Sequence, residues 1–210
     1  MAYETDEQQA EALKKWWSEN GKQVIFGAVI GLAVVFGWRA WQDHLAQVNA
    51  SAAEALDRMS QIQSQGEKDQ AMAQGRKIID EYSATIYADF ASLAMANILV
   101  GKGDETAAVE HLQRVIDKSA DSSLVDMTRL RLARVLLSLK RGDEATKLLD
   151  KVTNPAYQPE IEGIRGDIAM AAGDKAAARD AYQKALATGM ADHEMIRLKL
   201  DDLAESDATN

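Results

Sequence analysis

Residues 164–186 read IRGDIAMAAGDKAAARDAYQKAL, and this stretch predicts two short helices joined by a tight turn. Gly173 lies at the middle and supplies the turn, because glycine readily adopts the backbone conformation that ends a helix. Gly166 and Ala178 are small enough to let two antiparallel helices touch, and Tyr182 is large enough to fill the space toward a neighbour. A hairpin of this kind cannot bury its apolar face alone, so further hairpins are expected beside it.

Weaker copies of this unit precede it at spacings of 33, 37 and 37 residues. The small position of the second helix recurs as Ala178, Ala145, Ala108 and Ala71. The small position of the first helix recurs as Gly166, Ala133 and Ala96, and the bulky position as Tyr182, Leu149 and Leu112. In the first copy both positions break the pattern, at Met59 and Gly75. Turns are predicted at Gly66, Gly103, residues 140–142 and Gly173.

The unit resembles the tetratricopeptide repeat, whose period of about 34 residues falls within these spacings. The resemblance implies four stacked helical hairpins. A last helix over residues 192–206 alternates apolar and acidic residues, as expected of a polar cap, and residues 207–210 are expected to be a frayed tail. With two prolines and no strand-like alternation, the predicted class is all-α, with residues 42–206 as a tetratricopeptide-like helical-hairpin solenoid.

A membrane-spanning helix is predicted over residues 23–41, where VIFGAVIGLAVVFGW at residues 24–38 carries no charge. At about 1.5 Å per residue the apolar run is slightly shorter than the hydrocarbon core, and Lys22 and Trp41 extend it at the two ends. The alternatives are a buried helix of a soluble protein and a cleaved signal peptide. The helix is apolar on all faces, which argues against a buried helix of a soluble protein. The apolar run ends in aromatic and basic residues rather than in a small-residue cleavage site, which argues against a signal peptide.

Within this span Gly27 and Gly31 form a GxxxG pair, and Ala33 and Gly37 repeat the small-xxx-small spacing that lets membrane helices approach closely. We therefore expect a helix-packing face, with a homodimer through the span as one arrangement that the sequence leaves open.

The flanks of the span indicate its orientation. Residues 1–22 are expected to form a cytoplasmic amphipathic segment whose helix stops at Asn20 and Gly21. Three lysines lie on that side of the span, against Arg39 and Arg58 on the other, so the positive-inside rule places the N-terminus in the cytoplasm.

An apolar seam then continues beyond the span at Trp38, Trp41, Leu45, Val48, Ala52, Ala55, Met59 and Ile62. Its steps of three and four residues predict a continuous helix that becomes the first layer of the repeat domain. A coiled-coil stalk is the alternative.

Composition excludes several classes of function. The 33 acidic and 24 basic residues give a net charge of −9, which argues against nucleic-acid binding. There is no cysteine, so disulfides and thiolate metal sites are excluded. His44, His111 and His193 lie far apart without accompanying ligands. We expect no catalytic residues, no metal and no cofactor, and hence a protein that is not an enzyme.

In tetratricopeptide arrays the first helix of each hairpin lines an inner wall, and we expect that wall to form a protein-binding groove. Transferring those offsets predicts this lining: Phe90, Leu93, Asn97, Val100, Met127, Leu130, Arg134, Leu137, Glu160, Asp167 and Met170. The alternative for the apolar members is ordinary core packing. Asn97, Arg134 and Asp167 stand out because polar groups in a groove need a partner.

Four stretches together resemble the YfgM family of ancillary subunits of the bacterial SecYEG translocon: ENGK at residues 19–22, GWRAW at 37–41, YADFASL at 87–93 and LRLARV at 130–135. The similarity extends over nearly the whole chain. It implies a single-pass protein of the bacterial inner membrane with a periplasmic C-terminal domain. The implied partners are the SecYEG translocon, the PpiD chaperone, exported client proteins and the lipid bilayer. A cytoplasmic-facing scaffold or assembly factor is the alternative.

Overall fold

The computed structural model describes residues 6–189 and 193–208, and every regular element in these residues is helical. The α-helices of this part of the chain are α1 (Asp6–Ser64), α2 (Lys68–Glu81), α3 (Ile86–Val100), α4 (Glu105–Lys118), α5 (Ser122–Ser138), α6 (Gly142–Leu149), α7 (Gln158–Ala171), α8 (Lys175–Ala187) and α9 (His193–Ala208). A short 3-10 helix, Pro155–Tyr157, precedes α7. The all-α prediction is confirmed.

The chain divides into two compact units, Met1–Ala50 and Ser51–Asn210, and the boundary falls inside α1. In the first unit the apolar side chains of the predicted span are exposed, and none of its most apolar 18-residue window is buried. A core helix of a soluble protein would be covered, so that alternative is wrong. The helix is long and apolar enough to cross a membrane.

The predicted helix stop at Asn20 and Gly21 is wrong, because α1 continues through both residues. A glycine ends a helix when it adopts a positive φ, and Gly21 is not among the residues that do so. The Asn20 side chain instead donates a hydrogen bond of 3.1 Å to the Trp16 carbonyl oxygen, and the Trp17 ring packs against Gly21. Residues 1–5 of the predicted amphipathic segment lie outside the described residues.

The second unit is built of helical hairpins in the predicted order. Contacts pair α3 with α4, α5 with α6, and α7 with α8, while α2 and α4 also pack on the next hairpin. The end of α1 serves as the first helix of the first copy, since Ala52, Ala55 and Met59 are buried and the last two belong to the main core cluster. The apolar seam therefore becomes the first layer of the repeat domain, as expected.

The four predicted turns are confirmed, and each has a left-handed residue: Gly66, Lys140, Gly103 and Gly173, with φ of 85°, 61°, 78° and 81°. Each turn closes with the same pair of backbone hydrogen bonds, such as Asp104 N–H to Leu99 O (2.9 Å) and Gly103 N–H to Val100 O (3.0 Å). This is the Schellman motif. Lys140 differs from the others because its side chain disfavours the left-handed region.

The last helix, α9, buries Ile196 and Leu203 against Tyr182 in a small separate cluster. Glu194, Asp201 and Asp202 are exposed, which gives the helix the polar outer face expected of a cap. It begins at His193, while the predicted start at residue 192 lies outside the described residues. It continues through residues 207 and 208 of the segment expected to be frayed, and residues 209 and 210 are not described.

The two pattern breaks in the first copy compensate for each other. In the last copy, small Gly166 lies under bulky Tyr182, whereas in the first copy bulky Met59 lies against small Gly75. A Cβ added to Gly75 would lie 3.1 Å from the Met59 Cε and 2.6 Å from the Met95 Sδ. The contact between the two helices is thus preserved with the large and small partners exchanged, so the first copy keeps the packing of the repeat.

Candidate protein-binding groove

The predicted lining residues lie on α3, α5 and α7, the first helices of three hairpins, and their exposure varies. Leu130 is only 1% exposed and belongs to the hydrophobic core, so it offers no surface to a ligand. Met127 is partly buried and packs against the same core. Phe90 and Met170 are exposed, at 38% and 39%, but neither lines one of the cavities described below.

One cavity of about 350 Å³ lies between α3 and α5; we call it the arginine pocket. Its walls are Leu93, Ala96, Asn97, Val100, Leu112, Arg131, Arg134 and Val135. The prediction included Leu93, Asn97, Val100 and Arg134 but missed Arg131. The missed residue precedes Arg134 by three positions, so the helical period alone places both on one face.

A second cavity of about 200 Å³ lies between α5, α7 and α9, and Arg134 also lines it. The guanidinium of Arg134 forms an ion pair with Glu160 there. Asp167 Oδ1 accepts hydrogen bonds from the Tyr182 hydroxyl (2.7 Å) and from Lys199 Nζ (2.5 Å). Burial together with the bond to Asp167 raises the pKa of Tyr182 well above its usual value. Asp167 is therefore committed to internal contacts.

A wider cavity of about 900 Å³ lies by the turn between α5 and α6 and includes Leu137, another predicted lining residue. Its rim carries charges of both signs, and Arg141 forms two hydrogen bonds of 2.7 Å with Glu144. The mixed charge gives this cavity no preference for a ligand of either sign.

The buried acids of the first helices have structural partners. Asp89 forms an ion pair of 3.2 Å with Arg114, and Glu162 one of 2.8 Å with Arg165. Burial alone would raise the pKa of Asp126. However, hydrogen bonds from the backbone of Asn154 and Thr153, the Thr153 hydroxyl and the Arg129 guanidinium outweigh burial and lower that pKa. Asp89 and Asp126 therefore join neighbouring segments of the repeat domain, whereas Glu162 has its partners within α7.

The histidines do not form a site in the described part of the chain. His44 is exposed on α1, whereas His111 on α4 is half buried, and that burial lowers its pKa. The side chain of His193 lies outside the described residues. Within residues 6–189 and 193–208, no group of three His, Asp or Glu side chains could hold a metal ion.

The small residues of the span have open space around them. Positions for a Cβ on Gly27, Gly31 and Gly37 have no described atom within 4 Å, and Ala33 is exposed. These positions are therefore available to another helix or to lipid.

Comparison with known proteins adds to this geometry. Residues 14–205 match the family model of a tetratricopeptide repeat-like domain. A protein of Haemophilus influenzae named "Ancillary SecYEG translocon subunit" is 34% identical over 206 residues, which cover 97% of this chain and all of the relative. A protein of Escherichia coli with the same name is 32% identical over 204 residues, which cover 96% of this chain and 98% of that protein.

Solved structures show the same fold at low sequence identity. The crystal structure of MamA protein superposes with a TM-score of 0.56 at 14% identity, covering 73% of this chain and 86% of that one. MamA from Desulfovibrio magneticus RS-1, residues 41 to the end, gives a TM-score of 0.55 at 16% identity, covering 76% and 96%. At these identities the likeness concerns the helical-hairpin fold alone.

Proposed function

The chain belongs to the YfgM family of ancillary SecYEG translocon subunits, and from this premise we propose that it is a membrane-anchored scaffold without catalytic activity. The observation that carries the proposal is the near full-length similarity to translocon subunits in a chain that joins one exposed apolar helix to a repeat domain. The span would hold the protein beside the translocon in the bacterial inner membrane, while the repeat domain binds a protein segment.

We further propose that the N-terminus is cytoplasmic and the repeat domain periplasmic. The support is the excess of lysine before the span: Lys14, Lys15 and Lys22 precede it. The natural chain has no cysteine, so single cysteines at Ser18 and Ser64 report the two sides cleanly. In intact cells a membrane-impermeant maleimide should label Ser64→Cys and spare Ser18→Cys. The opposite result would favour the cytoplasmic-facing scaffold.

The partners of the repeat domain are proposed to be exported proteins and the PpiD chaperone. The arginine pocket supports a peptide-binding role because apolar walls and exposed polar groups meet there. A photoreactive residue at Asn97 should capture a chaperone or an exported chain, and one at Gly31 should capture a translocon subunit or, for a homodimer, a second copy. A photoreactive residue at exposed Gln113, outside that pocket, is the matched control. Equal capture from positions 97 and 113 would contradict the binding role.

A further inference from the structure

The arginine pocket combines apolar walls with positive charge, and the described residues that line it include no acidic side chain. Exposed Val100, partly buried Val135 and the 7% of Leu93 that is exposed supply apolar surface, whereas Arg131 and Arg134 are exposed at the rim. The chain as a whole carries a net charge of −9, so a pocket with two guanidiniums and no carboxylate is a local exception. A ligand with an acidic group is attracted to such a place, and a basic ligand is repelled.

The two arginines differ in whether an acidic side chain of the protein already pairs with their charge. Arg134 forms an ion pair with Glu160, which lines the neighbouring cavity. Arg131, in contrast, has no hydrogen-bond or ion-pair partner among the residues that the structure describes. The two side chains lie three positions apart on one helix, where like charges oppose each other. A carboxylate between them would relieve this repulsion and accept charge-assisted hydrogen bonds.

Resting on the proposed function, we propose that the arginine pocket binds an apolar protein segment that carries a carboxylate. An apolar side chain of the segment enters between Leu93 and Val135, and the adjacent carboxylate pairs with Arg131. The exposed amide of Asn97 is placed to hydrogen bond with the backbone of the segment. The volume of about 350 Å³ is near the lower end for ligand sites and suits one or two side chains.

Glu160 determines how strongly Arg134 can contribute to binding the carboxylate of a ligand. As long as Glu160 holds the Arg134 guanidinium, an incoming carboxylate competes with it for that arginine. Removing the charge of Glu160 should therefore strengthen binding of an acidic segment, whereas removing Arg131 should weaken it. These opposite effects distinguish a pocket whose affinity depends on the charge of the ligand from one that binds by apolar contact alone.

The test uses the full-length chain in lipid nanodiscs and fluorescence anisotropy of a labelled peptide, GSNLFELLNSG amide, beside counterparts with Gln or Lys in place of Glu. We expect the Glu peptide to bind about tenfold more tightly than the Gln peptide, the scale of one charge-assisted hydrogen bond. Arg131→Gln should reduce that preference to about threefold or less, and Glu160→Gln should tighten Glu-peptide binding by about threefold. The preference should weaken at high salt.

Arg76→Gln is the matched control, because Arg76 is an exposed arginine on α2 outside the pocket. It should leave the tenfold preference unchanged. Within the described part of the chain Arg131 has no partner to lose, so its substitution should preserve the circular dichroism spectrum, and reduced binding then reports the pocket itself. Empty nanodiscs report peptide binding to lipid.

Equal affinity for the Glu and Gln peptides, a preference for the Lys peptide, binding of none of them, or an unchanged preference in Arg131→Gln would each overturn the proposal. Self-association of the chain that disappears in Arg131→Gln would assign the pocket to a second copy and also overturn it. Co-purification of SecYEG is followed in parallel. If the wild-type chain retains SecYEG without a peptide preference, only the acidic specificity fails. If it retains no SecYEG, the proposed function fails.

Discussion

Replacing Gly166 by alanine tests the idea that each hairpin is held by one large and one small residue. A Cβ at Gly166 would lie 2.3 Å from Tyr182 Cε1 and 2.4 Å from Cδ1. Carbon atoms pack about 3.5–4.0 Å apart, so the ring must move by more than about 1 Å. Tyr182 is 1% exposed and its hydroxyl is bonded to Asp167, so the ring has little freedom to move.

The expected cost follows from these contacts. Overpacking of a well-filled core destabilises by about 1–3 kcal/mol, and disturbing the hydrogen bond to Asp167 adds about 1 kcal/mol. Alanine is favoured over glycine in a helix by about 1 kcal/mol, which offsets part of the loss. We expect Gly166→Ala to lower the free energy of unfolding by about 2 kcal/mol, which corresponds to about 4–8 °C in Tm for a domain of this size.

A second substitution should restore the fit. Tyr182→Leu alone leaves a cavity and removes the hydroxyl, and large-to-small core changes of this kind cost about 2–4 kcal/mol. The double variant Gly166→Ala/Tyr182→Leu reproduces the pairs Ala133 with Leu149 and Ala96 with Leu112, which the chain already uses. Its loss should be at least about 1 kcal/mol smaller than the sum of the single losses.

Urea unfolding of the full-length chain in detergent, followed by circular dichroism at 222 nm, measures the four members of this cycle. Gly142→Ala is the matched control, since Gly142 is helical and the nearest atom to an added Cβ is Ile168 Cγ2 at 3.4 Å. It should be neutral or stabilise by about 0.4–1 kcal/mol. Strictly additive losses in the cycle, or an unaffected Gly166→Ala, would refute the size-matching argument.

Three further predictions concern single residues and use the same unfolding assay. Lys140→Gly should stabilise the chain by about 1 kcal/mol, because glycine adopts the left-handed backbone conformation of this residue without the steric clash that a side chain causes. Equal or lower stability would contradict this. Asp126→Asn should cost about 2 kcal/mol at neutral pH. The contribution of Asp126 is present above its unfolded pKa of about 3.9 and is lost as the pH falls through its lowered folded pKa, so the variant should lose less stability on acidification. Likewise, the stability linked to neutral His111 is present above about pH 6.5 and is lost as the pH falls through its lowered pKa. The free energy of unfolding of His111→Gln should therefore change less between about pH 7 and pH 5 than that of the wild type. An unchanged slope of this free energy against pH would show that other groups dominate.

The hairpins were predictable because their determinants are local. A glycine at each of three turns, and the period of the apolar residues within each helix, act over a few residues and can be read along the chain. The exception among the turns, Lys140, was still located by its position before Gly142 and by the repeat spacing. The helix stop at Gly21 failed because composition does not reveal whether a glycine adopts a positive φ.

The groove was less predictable, because its surface depends on contacts between distant segments. Arg134 pairs with Glu160 and Asp167 with Lys199, separations of 26 and 32 residues. No local pattern indicates that these charges meet, nor that Leu130 is buried in the core while Arg131 is exposed and has no partner among the described residues. Positional transfer from the repeat placed the predicted lining on α3, α5 and α7 but could not assign a role to each side chain.

The all-helical class, the exposed apolar span and the order of hairpins therefore followed from the amino-acid order alone, since each depends on periodicity and turn chemistry over short distances. The exchange of large and small partners between Met59 and Gly75, and the choice of which charges are neutralised inside the domain, depended on tertiary packing. Both arise where separate helices share the same limited volume, and a linear pattern contains no information on which neighbour fills that volume.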